Sequence, residues 1–311
     1  MKRRKFTKLA GITAAGLSLS SHTITNYYQS NANIRLGGPI FKKVDSPDEW
    51  INSLKQLNYK AAYCPLNPGA SREEITAYKK AAQQSDIVIS EVGAWSNPID
   101  PDPEKSNAAI EKCIRSLQLA DDIGANCCVN ISGSRNPENW AGPHKDNLTP
   151  DTFDLIVETT RKIIDAVKPT QTYFTLETMP WSYPDSVESY KKLLKAIDRE
   201  RFAVHFDPVN LVVSPQVYFK NGDLIKSAFK KLGRFIKSCH AKDILLLEEK
   251  LTPHLPEVRA GLGNLNYPVF LRELSKLDGI PLMMEHLKTA EEYNLAARHI
   301  RNVADENQIQ L

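Results

Sequence analysis

Eight short apolar runs alternate with eight helical stretches between residues 34 and 303, and that alternation leaves very few folds open to the chain. The runs, rich in β-forming residues, cover 34–41, 59–65, 86–94, 125–132, 172–179, 202–212, 235–246 and 280–286. Helical patterns follow them at 46–57, 71–84, 103–123, 150–167, 185–197, 216–232, 267–277 and 289–303. Ser71 with Glu74 three residues later is a capping-box signature. Ile110, Ile114, Leu117 and Ala120 recur at the spacing of one buried helical stripe. Strands apolar on both faces need helices on both sides, which argues for a covered parallel sheet. A doubly wound sheet would carry a glycine-rich phosphate turn after its first strand. Here that strand runs into Gly37-Gly38-Pro39 instead. Eight βα units in about 280 residues match the rhythm of a closed barrel. The expected fold is therefore α/β: a single-domain (β/α)8 TIM barrel over 31–311, with the glycine-containing first strand its least regular part.

Composition adds limits rather than identity. With 41% apolar and 25% charged residues, the chain has an ordinary globular balance. The formal charge of +3 comes from the first eight residues, where Lys2, Arg3, Arg4, Lys5 and Lys8 contribute five positive charges; without them the remainder carries −2. Such a body lacks the basic excess expected of a nucleic-acid or anionic-membrane binder. The head itself, residues 1–30, is laid out as an export signal: a basic stretch, then a mildly apolar run too short and polar to span a bilayer. Arg3-Arg4-Lys5-Phe6 resembles the twin-arginine signal, so the expectation is an exported, periplasmic protein with no membrane span after the signal. Five cysteines, an odd number with no C-x-x-C spacing, argue against a disulfide framework.

Chemistry concentrates in the second half. Glu177 ends YFTLE, Asp207 ends FAVHFD, His240 ends FIKSCH and Glu285 ends PLMME, with spacings of 30, 33 and 45 residues. Each spacing is about one βα unit, so the four belong to adjacent strands and emerge at the carboxyl rim where barrel active sites form. Three carboxylates and an imidazole on one patch require a counter-charge, and these ligand types suit a divalent metal.

The segments LETMPW, HFDPVN, SCHAKD with the later GLGNLNY, and MMEH resemble the signature segments of the xylose-isomerase-like sugar isomerase/epimerase barrels. The stretch SNPIDPDPEKSNAAIEKCIRSLQLADDIGANCCVNISG is similar to their third-helix and fourth-strand region, and the likeness covers about residues 34–303. The resemblance implies one divalent metal, usually Mn, Mg or Co with Zn also acceptable, held by Glu177, Asp207, His240 and Glu285. It also implies that Glu177 and Glu285 exchange protons at a carbon next to a carbonyl, through an enediolate. The sequence departs from the ketose epimerases at three places. Asn210 stands where many carry His, Tyr183 where they carry Glu and Leu246 where they carry Arg. The endonucleases of the same superfamily need further His ligands than the seven His of this chain supply.

Other candidates rest on position. Asn210, Lys242, Arg259, Trp140, Trp181, Tyr183 and Asn130 are expected around the substrate, with Trp95 and Glu91 near the same cavity. Indole rings suit the C–H faces of sugars, and equally suit loop packing. His205, two residues before Asp207, either orients a ligand or fills the core. Lys242 and Asp243 form part of H-x-K-D or a surface ion pair, and Asp243 is expected near a ligand imidazole or loop backbone. His286 is expected to point away from the site. The function expected is a metal-dependent isomerase or epimerase acting on a sugar or sugar-derived keto compound. Two alternatives stand beside it: a keto-glycoside lyase or dehydratase working by β-elimination, and a non-catalytic exported sugar-binding barrel. The resemblance leaves room for a homo-oligomer.

Overall fold

Helix starts are written locally and can be followed from one end of the structure to the other. The computed structural model describes residues 34–311; the expected export signal at 1–30 lies outside them. Side chains of Ser46, Ser71, Asp102, Thr149, Ser186, Ser214, Asn266 and Thr289 each accept a hydrogen bond from the first turn of the helix they open. Each such cap satisfies a backbone donor that would otherwise lack a partner. Pro47, Pro103, Pro150 and Pro215 sit in the same first turns, where a missing N–H costs nothing.

The helices that result are α1 (Pro47–Gln56), α2 (Arg72–Gln84), α3 (Pro103–Ile123), α4 (Pro150–Val167), α5 (Val187–Ile197), α6 (Pro215–Tyr218), α7 (Asn221–Leu232), α8 (Tyr267–Leu274) and α9 (Ala290–Glu306). The single helix expected at 216–232 is two, because the chain turns at Phe219 and Lys220 before α7 begins. Among the described residues no helix is long and apolar enough to cross a membrane.

Between the helices run β1 (Arg35–Gly37), β2 (Ala61–Tyr63), β3 (Val88–Gly93), β4 (Cys127–Asn130), β5 (Phe174–Glu177), β6 (Phe202–Phe206), β7 (Ile236–Ala241) and β10 (Pro281–Met284). These eight are parallel and close into one barrel, in the order β1-β10-β7-β6-β5-β4-β3-β2 and back to β1. Gly37 explains the weak first strand: a Cβ there would lie 2.3 Å from Ala61 O and 2.7 Å from Met283 Sδ, so closure needs glycine. The long run expected at 235–246 breaks after Ala241. Its end, β8 (Asp243–Ile244), pairs antiparallel with β9 (Glu257–Val258) outside the barrel. The run expected at 202–212 likewise stops at Phe206 and turns into a 3-10 segment, Val209–Leu211.

Packing follows the two-layer logic of the fold. Phe206 of β6 meets Phe229 of α7 and Phe270 of α8 edge-on, at ring separations of 5.7 and 6.3 Å. Tyr190 of α5 donates to the carbonyl of Leu176 and lies within hydrogen-bond reach of Ala203 O, tying the helix to β5 and β6 at once. At the opposite end of the barrel, Asp121 in the last turn of α3 accepts from the backbone N–H groups of Thr170, Gln171 and Thr172, at 2.8–3.0 Å. One carboxylate thereby anchors the chain as it enters β5.

Candidate metal and active site

Parallel pairing carries the four rim residues to one place. Glu177 is the last residue of β5, Asp207 follows β6, His240 lies near the end of β7, and Glu285 follows β10. These strands are consecutive around the barrel, and one ligand atom from each falls within 4.8 Å of the others. His240 Nδ1 is 3.0 Å from Glu177 Oε1, 2.9 Å from Glu285 Oε1 and 4.0 Å from Asp207 Oδ2. Asp207 spends its other oxygen locally: Oδ1 accepts from Val209 N at 2.9 Å and caps the 3-10 turn, which aims Oδ2 at the cluster.

Lys242 completes the centre. Its ammonium is 1% exposed and lies 2.6 Å from Asp207 Oδ2, 2.7 Å from Glu285 Oε1 and 3.3 Å from Glu257 Oε2. Asn210 bridges the same groups, donating to Glu177 Oε1 at 3.3 Å and accepting from Lys242 Nζ at 3.4 Å.

Charge does not balance within this set. Glu91, Glu177, Asp207 and Glu285 are buried carboxylates, against the cations His240 and Lys242. Burial works to raise Glu285, but His240 and Lys242 outweigh it and hold this carboxyl well below the usual range. Glu177 is lowered too, burial being overcome chiefly by His240. Asp207 takes the deficit: burial, against the pull of Lys242, pushes it up to about 7. Burial works to lower His240, but Glu285, Glu91 and Glu177 outweigh it and lift the imidazole well above its ordinary value. Neither Asp207 Oδ2 nor Glu285 Oε1 has a hydrogen-bond donor in proper geometry, although Lys242 is close to both. Buried, unbonded carboxylate oxygens converging on an imidazole nitrogen fit a divalent cation, with Glu177, Asp207, His240 and Glu285 as its holders.

A cavity of about 550 Å³ opens onto this cluster, and its wall includes Tyr63, Glu91, Trp95, Glu177, Lys242 and Glu285. Asn210, Glu257 and His286 also face it. Trp95, Trp140 and Trp181 stand around its mouth, each 37–45% exposed. Trp181 Nε1 donates to Ala141 O at 2.8 Å, which fixes the loop that presents Trp140.

Several expected roles change. Tyr183 does not face the cavity; its hydroxyl donates to Leu148 O at 3.1 Å and its ring packs edge-on against Phe153, so it staples two loops together. Asn130 is wholly buried and bonds to the backbone N and O of Ser96, shaping the loop after β3 rather than lining the site. Arg259 turns onto the neighbouring Ala260 carbonyl, because the Gly261–Gly263 loop folds back over Asp243 and carries it away. Asp243 keeps one of its expected places, beside loop backbone, accepting from Gly261 N, Leu265 N and its neighbour Ile244 N. His205 lies deep beneath the cluster with its ring 4.1 Å from that of His240. His286 contradicts strand alternation. β10 has already ended, and a left-handed φ of 60° turns the ring back toward Glu257, 3.0 Å away. Glu257 and Tyr63 carried no sequence signal for the site: one comes from the outlying β8–β9 ribbon, the other from β2.

Barrel, rim cluster and cavity together define a (β/α)8 protein whose candidate site lies at the carboxyl ends of its strands. The chain belongs to the xylose isomerase-like TIM barrel family, whose model matches residues 53–303. No curated protein matches the sequence. Among solved structures, endonuclease IV from Thermus thermophilus superposes with a TM-score of 0.66 at 15% identity, over 88% of this chain and 99% of that one. The 3-keto-D-glucoside 4-epimerase of E. coli gives 0.62 at 12% identity, over 86% and 99%. A xylose isomerase-like barrel from Mycobacterium smegmatis, solved in complex with magnesium, gives 0.61 at 16% identity, over 88% and 96%. At these identities the likeness is one of fold alone.

Proposed function

We propose that the protein is a divalent-metal-dependent enzyme of the sugar isomerase/epimerase type, moving a proton at a carbon next to a carbonyl. One observation carries this reading. Of the four clustered residues, Glu177 and Glu285 form part of the cavity wall, whereas Asp207 and His240 lie buried behind them. Two carboxylates facing the substrate space from strands on either side of the cluster could take a proton from a substrate carbon and, once protonated, return it. A divalent ion held by the four would polarise the carbonyl and lower the acidity barrier of the adjacent C–H. Glu177, a carboxylate that faces the cavity, would accept the proton. Asn210 and Lys242 present donors to substrate oxygens, Lys242 from among the carboxylates and Asn210 beside Glu177.

The cavity also favours one kind of substrate. Among the described residues its wall contains no arginine, which favours an uncharged substrate over a phosphorylated one. Three tryptophans at the mouth suit an uncharged sugar or a glycoside. That aromatic rim supports a second reading, β-elimination from a keto-glycoside after the same proton abstraction. The −2 charge of the chain beyond its first eight residues supports a small-molecule substrate over nucleic acid. The twin-arginine resemblance supports export to the periplasm, which replacing Arg3 and Arg4 by lysine would block in a cell-fractionation assay.

The test is solvent deuterium exchange by NMR on ketoses and 3-keto-glycosides, with protein loaded in turn with Mn, Mg or Co. Deuterium at the carbon next to the carbonyl supports the isomerase reading; loss of the aglycone identifies elimination. Sugar that binds without exchange or cleavage under any metal would sink both and leave a binding protein.

A further inference from the structure

Glu91 lies on β3, across the barrel from β7, yet its carboxylate meets the far side of the His240 ring. His240 Nε2 is 3.2 Å from Glu91 Oε1, while Nδ1 faces Glu177, Asp207 and Glu285. Glu91 is itself held: Ser238 Oγ donates to Oε2 at 3.0 Å, Ser90 Oγ is 3.4 Å from the same oxygen, and the two hydroxyls are 2.9 Å apart. His205 Nδ1 is 3.6 Å from Oε2, and its ring lies edge-on to that of His240, filling the space on its flank. Glu91, Ser238, His205 and His240 are all at most 2% exposed, and of the four only Glu91 contributes to the cavity wall.

Glu91, His205 and His240 also lie close enough together to suggest a second ion. The shared imidazole argues against it. A neutral ring has one bare nitrogen, and holding two ions would require the imidazolate. With a carboxylate at Nε2 and a cluster of carboxylates around Nδ1, the proton belongs on Nε2 and the lone pair on Nδ1 when a metal is bound. A carboxylate on the non-ligating nitrogen fixes both tautomer and ring angle.

We infer that Glu91 is a positioning residue, holding His240 through Nε2–H so that Nδ1 is presented to the metal, with Ser90 and Ser238 fixing Glu91 in turn. The inference deepens the proposed function and rests on its metal site. It gives a deep β3 carboxylate the task of setting metal affinity.

The experiment compares the wild-type chain with Glu91→Gln, the milder Ser238→Ala, and His240→Asn as an assignment control. Calorimetric titration with Mn is expected to show Glu91→Gln weakening affinity by about 10- to 100-fold, and Ser238→Ala by less. Proton NMR of metal-free protein is expected to show a downfield His240 Nε2–H in the wild type, absent in His240→Asn and moved upfield in Glu91→Gln. A general packing defect would lower the Tm and leave this resonance in place. Unchanged Mn affinity and an unchanged resonance in Glu91→Gln would overturn the inference. Two ions per wild-type chain, one of them lost in Glu91→Gln, would also overturn it by making Glu91 a ligand. If the wild type binds no Mn at all, the proposed function fails, and the resonance alone decides whether Glu91 holds the imidazole.

Discussion

The Lys242 ammonium lies 2.6 Å from Asp207 Oδ2, inside the carboxylate cluster that a metal would share. Lysine and metal therefore answer the same electrostatic need, and each repels the other while sharing the carboxylates. Replacing Lys242 by Met is expected to tighten Mn binding, because the ion no longer meets an ammonium. In metal-free protein the same change strips the counter-charge from Asp207 and Glu285, at a cost of about 3–5 kcal/mol. Urea denaturation with and without Mn checks this: the stability loss must shrink when metal is present. An equal loss in both conditions would show that Lys242 stabilises for another reason.

Asp207 and Glu177 should separate by what they lose. Asp207→Ala removes a buried oxygen that faces the cluster but not the cavity. Elemental analysis is expected to find about one divalent ion per wild-type chain and far less in the variant. Glu177→Gln keeps an oxygen ligand but cannot take a proton, so metal should be retained while exchange falls by about 10²- to 10⁴-fold. Metal loss in Glu177→Gln equal to that in Asp207→Ala would leave the proton-transfer role without support.

Trp181 both lines the mouth and clamps Ala141 through its Nε1 hydrogen bond. Trp181→Phe keeps an aromatic face and loses the clamp; Trp181→Ala loses both. For a glycoside stacked at the rim, KM should rise most in the alanine variant, corresponding to about 0.5–1.5 kcal/mol of lost binding, while kcat changes little. Identical KM for both variants and the wild type would place the substrate away from this wall.

Asp121 offers a stability test far from the chemistry. Burial works to raise its carboxyl, but the N–H groups of Gln171, Thr170 and Thr172 outweigh this and hold it below the ordinary value. A folded-state value lower than the unfolded one gives stability that is fully present above about pH 4 and is lost as pH falls toward the depressed value. Asp121→Asn should cost about 1–3 kcal/mol at neutral pH. Its stability curve should also be flatter than the wild type through the acid window. Parallel curves for the two proteins would refute the linkage.

Much of this was open to a reader of the sequence. Helices α3 and α4 occupy the expected stretches 103–123 and 150–167, and open where Pro103 and Pro150 follow capping Asp102 and Thr149. Glu177, Asp207, His240 and Glu285 were legible because each closes an apolar run one βα unit from the next. Tyr183, Asn130 and Arg259 were misplaced for a common reason: each lies in a loop, where no period fixes direction, and each found a nearer backbone partner. His286 was misread because alternation was carried past the end of β10 into a residue with positive φ.

The sequence by itself determined the barrel and the rim, because strand period, helix caps and unit spacing are local quantities that repeat along the chain. Tertiary structure alone decided which partners these groups meet. Glu91 reaches His240 over a separation of 149 positions, Glu257 reaches Lys242 from a ribbon outside the barrel, and Tyr63 arrives from β2. Those distances are set by closure of the sheet and by the folding back of one long loop. No local pattern encodes either, since both depend on how strands at opposite sides of a ring share its interior.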